Sequence, residues 1–262
     1  DLKTFKTAEI IELPNSGGNH SSPFITENTE YVVAGTRFSV PGDYENGDVP
    51  INTYKQNYKG HISFVKVGKE GEMDIAFQIM TPGVNFDLSH AGKGKSHGWF
   101  FFSCYNTEQA NTLLEVNASQ KDKDFIMAVN WKKAEEYVKA GKGKKQKVRY
   151  AHNTWDDATH SAKSEIKTEV LVLDASELKD ICYMIPCPKS PHGCDVDPTG
   201  EYIVGSGKLA ALIPVFSYDK LQTAIKNKSF EGDYGGIPVV KYEAALHGEV
   251  QKPGLGPLHT EF

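Results

Sequence analysis

The stretch "KSPHGCDVDPTGEYIVGSGKLA", residues 189 to 210, decides how the chain is read. Asp197-Pro198-Thr199-Gly200 has the make-up of a tight turn, with proline fixing one φ and glycine free to take a positive one. Glu201-Tyr202-Ile203-Val204 then reads as a strand. Turn followed by strand is ordinary. The half before it is not, because His192 stands between Pro191 and Gly193, just ahead of the turn. Those two neighbours fix backbone direction, so the imidazole is aimed rather than merely exposed.

Working outward, short β-type runs recur between turn signals. Strands are expected at Tyr31–Ala34, His61–Val67, Asp74–Ile79, Trp99–Cys104, Phe125–Val129, Val170–Leu173, Tyr202–Gly205, Ala211–Phe216 and Pro238–Tyr242. The clusters VPGDYENGDVP, TPGVNF, DPTG and EGDYGG separate them. Helix signals are few. Trp131, Ala134 and Val138 share one face of WKKAEEYVKAG, with Gly141 as its C-cap. Leu221 and Ile225 mark a shorter helix in YDKLQTAIKNK. The expectation is an all-β chain with one or two short helices in loops. Evenly spaced short strands suit a sandwich, a barrel or a propeller. One cue favours the propeller: VVAGTRF at 32–38, FFFSCYN at 100–106 and IVGSGKL at 203–209 each end a strand in small residues.

The chain has 262 residues, enough for one large domain or two small ones, and 39% hydrophobic with 24% charged residues is a globular composition. A net charge of -5 supplies no positive field for nucleic acid. No apolar run approaches the roughly 20 residues that span a bilayer. The start, DLKTFKTAEIIELPNSGG, has neither Met nor a signal-peptide pattern, and reads as a mature product or a piece of a longer protein. The lysine-rich run GKGKKQKVR at 141–149 lacks the P-loop pattern and interleaved aromatics, and is expected to be a solvated loop. Cys104, Cys182, Cys187 and Cys194 show no CxxC spacing. Buried thiols are the simpler reading, with Cys182–Cys187 and Cys187–Cys194 disulfides left open.

Of 9 histidines, none forms HxH or HExxH, which removes the common single-helix zinc sites. Three stand out by context: His20 in LPNSGGNHSSP, His192 in KSPHGCD and His259 in PGLGPLHTEF. In each, Gly and Pro punctuate the chain shortly before or after the imidazole. A propeller would let three such side chains converge, since each blade delivers a strand end to the hub, and imidazole suits copper, zinc, iron or nickel.

These segments resemble the central part of nitrous oxide reductase. LPNSGGNHSSP resembles that family's PN-x-x-G-x-H-G segment, and FFSCYNTEQANTLLE its F-S-T-S-Y-N-S-E segment. SPHGCDVDPTGEYIVGSGKL resembles N-P-H-G-x-x-x-x-P-D-G-K-Y-x-x-x-x-G-K-L, and GLGPLHTEF resembles G-L-G-P-L-H-T-x-F. WKKAEEYVKAGKGKK falls where the family has an N-x-x-x-I-E-K-A-I-K-A-G helix. The resemblance runs from about Glu12 to Phe262 in the same order as in the family.

The resemblance implies part of a seven-bladed β-propeller, with residues 1–262 an internal segment of the N-terminal propeller domain and the C-terminal cupredoxin domain absent. It implies a copper enzyme that reduces nitrous oxide to dinitrogen and water, at a sulfide-bridged copper cluster held by seven histidines. His20, His192 and His259 match three of those ligands. Tyr105 and Glu108 match two ligands of an adjacent calcium site, and the alignment favours Asp124 over Asp122 as a third. That oxygen-rich set suits a hard cation. Glu115 and Val116 lie where the family offers a backbone carbonyl. Ser190 stands where the family often has a calcium-binding Asn, Ser21 where it has Gly after the histidine, and GKLA at 207–210 replaces GKLS. The family further implies a periplasmic location, a cytochrome c or cupredoxin as electron donor, a binuclear copper in the missing domain and a homodimer. The remaining ligands lie outside this chain, so the isolated span is expected to be inactive. A different class fits the DPTGEYIVGSG repeat too: a lactonase-type or non-catalytic propeller binding module without copper, in which His192 is a structural loop residue. The histidines discriminate. Copper-type bonds near 2 Å to one cluster require imidazoles 20, 192 and 259 to meet within roughly 10 Å.

Overall fold

In the computed structural model the described residues are 3–6, 11, 13–16, 24–42, 57–104, 124–147, 155–156, 161–162, 169–251, 254, 258–260 and 262. They form three main sheets. The first holds β1 (Phe24–Ile25), β2 (Val32–Gly35), β3 (Val40–Pro41), β4 (Tyr58–Val67) and β5 (Met73–Pro82). The second begins with β6 (Phe86–Ala91), β7 (Trp99–Cys104) and β8 (Asp124–Asn130). The chain then returns to the first sheet through β9 (Lys144–Lys147) and, after the small hairpin of β10 (Trp155–Asp156) and β11 (Ser161–Ala162), through β12 (Glu169–Asp174). β13 (Cys182–Cys187) rejoins the second sheet. The third sheet is β14 (Pro191–Val196), β15 (Tyr202–Gly207), β16 (Leu212–Ser217) and, last, β19 (Leu246–Gln251). Before that last strand, β17 (Phe230–Tyr234) and β18 (Ile237–Val240) extend the second sheet. Each main sheet is thus completed by strands from later in the chain, which interlocks the layers.

The second sheet is the middle layer, and its sequence says so. Trp99–Cys104 is buried at every position. Phe100 and Phe102 point into one core with Phe64, Phe77 and Ile79 of the first sheet, and Phe101 points into the other with Cys194, Val196, Ile203 and Phe216 of the third. A strand buried on both faces reads as a continuous apolar run rather than an alternation. Each fully buried phenylalanine contributes roughly 2–3 kcal/mol.

Two helices form where expected. Helix α1 (Trp131–Lys139) buries Trp131 and Ala134 and is capped by the Asn130 side chain, which accepts from the Lys133 N–H. Gly141 takes φ 69°, and Gly141 N–H and Lys142 N–H close onto the Val138 and Tyr137 carbonyls, a Schellman ending. Helix α2 (Tyr218–Lys226) buries Leu221 and Ala224 and starts on the Ser217 hydroxyl, which accepts from Lys220 N–H.

All nine expected strands are present, with ends shifted by a few residues. Three expectations change. The strand expected through Tyr242 stops at Val240, and a third helix, α3 (Tyr242–Ala245), follows, so there are three α-helices among the described residues. The lysine-rich run is not wholly a loop: Lys144–Lys147 pairs with Glu169–Val172 as an edge strand, where charged side chains on an open edge discourage further pairing. His192 lies in a strand, because the loop reading of SPHG missed a bulge. Neither disulfide forms. All four thiols are free, and burial pushes them up.

Candidate metal centre

The DPTG turn fixes the base of the site. Asp197 accepts from Thr199 N–H (3.1 Å), the Thr199 hydroxyl (2.6 Å) and Tyr202 N–H (2.8 Å). Burial raises its pKa, but these hydrogen bonds outweigh it and hold the carboxyl below its usual value. Gly200 takes φ 74°, and a Cβ there would lie 1.6 Å from the Lys93 carbonyl oxygen. Only glycine fits. The turn therefore delivers β15 in register against β14.

On β14 the pairing runs Pro191↔Gly207 and then Gly193↔Ser206, with a register shift between them. His192 is the extra residue of this bulge. A bulge re-aims a side chain, and here it turns the imidazole out of the ladder. The backbone is held independently, since the Ser103 hydroxyl of β7 donates to the His192 carbonyl at 2.6 Å while Leu88 N–H of β6 donates to that hydroxyl at 3.0 Å.

The His192 ring meets the His259 ring edge to face, with centroids 5.0 Å apart at 81°. Residues 67 positions apart in sequence are thus side by side. Asp87 Oδ2 lies 3.8 Å from His192 Nε2; the carboxylate is 1% exposed and the imidazole 18%. Segment 258–260 rests on β14. Thr260 N–H donates to Asp195 Oδ2 at 2.9 Å, and a Cβ on Gly193 would lie 2.2 Å from the Leu258 carbonyl oxygen.

His90 completes the surroundings. Its Nδ1 accepts from Val196 N–H at 2.9 Å and stands 3.7 Å from Asp195 Oδ1. Burial, with Lys93 as a lesser cause, pushes its pKa down to about 4. The ring is neutral at pH 7, so its proximity to Asp195 is not an ion pair.

Asp124 and Ser190 also come together. Ser190 N–H donates to Asp124 Oδ2 at 2.7 Å, and Asp124 and Ser190 are 3% and 0% exposed. Ser190 holds φ 58°, the left-handed region that asparagine enters more readily than serine. His20, Tyr105 and Glu108 lie outside the described residues, as do Asp122, Glu115 and Val116.

Compared with known proteins, the chain matches no family model. It is 24% identical over 270 residues to the nitrous-oxide reductase of Pseudomonas fluorescens and 26% identical over 266 residues to that of Stutzerimonas stutzeri. Both matches cover 100% of this chain and 35% of the relative. The region is nitrous-oxide reductase-like. It spans about a third of the length of these curated relatives. Among solved structures, a hydrazine synthase chain of Kuenenia stuttgartiensis superposes at TM-score 0.48 with 10% identity, covering 90% of this chain and 50% of that one. A putative 6-phosphogluconolactonase of Bacteroides uniformis superposes at 0.28 with 12% identity, covering 74% of this chain and 52% of that one. Neither superposition bears on the fold or the chemistry.

The donor types present, imidazole and carboxylate, are ones that copper, zinc, iron or nickel could take. Two imidazoles meet edge to face, with a buried carboxylate beside one of them. Among the described residues no group of three or more His, Cys, Asp or Glu side chains converges to hold a metal ion. The third expected imidazole, His20, is outside them. No described helix is long and apolar enough to cross a membrane. Sequence reasoning missed Asp87, His90 and Asp195. The available signal was ionisable residues in strand-like runs, FDLSHA and PHGCDV, where a buried position must have a partner.

Proposed function

We propose that this chain is part of a copper reductase that converts nitrous oxide to dinitrogen and water. His192, His259 and His20 would hold copper, and Asp124, Ser190, Tyr105 and Glu108 would contribute to a calcium site. The meeting of His192 and His259 carries this reading: imidazoles from two Gly- and Pro-flanked segments, chosen from the sequence as ligands of one centre, have ring centroids 5.0 Å apart. Copper would supply the electrons and the binding of a poor ligand, as a sulfide-bridged cluster. The chain's own residues orient the imidazoles: the bulge at His192 aims one ring, and the Thr260 N–H bond to Asp195 holds the segment that carries the other. Calcium would suit the oxygen donors of Asp124 and Ser190, next to the His192 bulge.

The sheet order supports a propeller. β14-β15-β16-β19 is a four-stranded antiparallel sheet, β6-β7-β8-β13 are four antiparallel neighbours within a six-stranded one, and the first strands of the two, β6 and β14, pack together as innermost strands of neighbouring blades do. We read residues 1–262 as a segment of a seven-bladed domain, with the periplasm as its compartment. In the whole protein, a cytochrome c or cupredoxin would donate electrons through a binuclear copper, and the chain would act as a homodimer. Copper uptake by the purified chain tests the ligand assignment. His192→Ala and His259→Ala should each lower bound copper at least tenfold, and His247→Ala should leave it unchanged. Equal uptake by all four proteins would rule out the assignment. The chain alone should not consume nitrous oxide, because it offers three imidazoles of the seven the cluster takes.

A further inference from the structure

We propose that Asp195 is a positioning residue that, with the bare backbone of Gly193, sets His259 against His192. This rests on the copper reading for its purpose but not for its geometry. Segment 258–260 reaches β14 from the far end of the chain. A hydrogen bond ties the segment to the strand: Thr260 N–H, the amide next to His259, donates to Asp195 Oδ2 at 2.9 Å. A charge-assisted bond of this kind is roughly twice as strong as a neutral one. The approach itself depends on Gly193, where any side chain would strike the Leu258 carbonyl oxygen at 2.2 Å and crowd the His259 Cα at 3.2 Å. Asp195 is in turn held from the other side. Val196 N–H is tied to the neutral His90 ring at 2.9 Å, which fixes the strand immediately after Asp195. Gly193 and Asp195 lie two apart on one strand, so they face the same side and act on the same crossing segment. His192, immediately before Gly193, is the extra residue of the bulge and meets the ring that they position.

Ring-to-ring nuclear Overhauser contacts between His192 and His259 in histidine-labelled protein test this, with copper(I) affinity measured against a competing chelator. Wild type and Asp195→Asn, whose carboxamide oxygen still accepts, should show the ring contact. Asp195→Ala should lose it, and so should Thr260→Pro, which removes the donating N–H at a position outside the buried core. Copper(I) affinity should fall about 10–100-fold in those two variants and stay within about threefold in Asp195→Asn, the scale on which outer partners of metal ligands act. If Asp195→Ala fails to fold, Thr260→Pro decides. Persistence of the ring contact in Thr260→Pro overturns the proposal. Loss of the contact, in a chain whose wild type takes up no copper, upholds the positioning role and refutes the copper reading.

Discussion

Acid weakens this fold through His61, and the size of the effect follows from its surroundings. The ring sits on β4 at 4% exposure. Burial, with the Lys59 charge as a lesser cause, pushes its pKa from 6.5 to about 4; a hydrogen bond to the Asn15 backbone and the Asp174 charge oppose this without reversing it. Its Nδ1 is buried without a hydrogen-bond partner among the described residues. Beside it, Gln78 Nε2 donates to the Pro14 carbonyl and to Ser63 Oγ, both at 2.9 Å, so the neutral ring helps to seat the 13–16 segment on the first sheet. Because the folded value lies below the unfolded one, the unfolded chain takes the proton first. Stability is intact above about pH 6.5 and is lost as pH falls through the window down to about 4. At ~1.36 kcal/mol for each pH unit, the drop from 6.5 to about 4 amounts to about 3 kcal/mol. Urea unfolding at pH 7, 5.5 and 4, for wild type and His61→Gln, measures it. Wild type should lose about 3 kcal/mol more than the variant between pH 7 and 4. His90 titrates in both proteins and cancels in the difference. Parallel pH profiles for the two would refute the reasoning.

Asp124→Ala removes the acceptor of a 2.7 Å bond from Ser190 N–H and leaves that donor buried, which should cost about 2–3 kcal/mol in urea unfolding. Gly141→Ala forces a Cβ into φ 69° with nothing within 4 Å to strike, so a purely conformational loss of about 1 kcal/mol is expected as a lowered Tm. Ser217→Ala removes both the cap on Lys220 N–H (3.1 Å) and a bond to Glu201 (2.5 Å); a loss of about 1 kcal/mol is expected by the same measurement.

The parts legible in the sequence were those governed by local rules. The WFFFSC and DFIMAV runs announce strands buried on both faces, and the spacing of Trp131, Ala134 and Val138 with Gly141 announces a helix and its end. Pro191 and Gly193 drew attention to His192 correctly, but for an incomplete reason. They read as loop punctuation, whereas Pro191 begins a strand, and Gly193 is bare because another segment crosses it. That crossing has no local signature. Nor has Asp195, whose role depends on an amide 65 residues away. Asp87 and His90 were hidden in FDLSHA, where only the pairing with β7 and the packing of β14 make them neighbours of the centre.

The two imidazoles also differ in how they depend on the fold. His192 is aimed by contacts complete once β6, β7, β14 and β15 have paired: the bulge against Gly207 and Ser206, and the Ser103 bond. His259 follows in sequence after β16, after β17 and β18 on the middle sheet, and after β19, which closes the third sheet on Leu212–Phe216. The segment that carries His259 meets β14 through the Thr260 N–H bond to Asp195, the close pass over Gly193 and the ring contact with His192. Weakening that anchorage should separate the rings while the sheets stay intact. A metal bridging them would stabilise the same crossing from the other side, by binding the assembled state in preference to the open one.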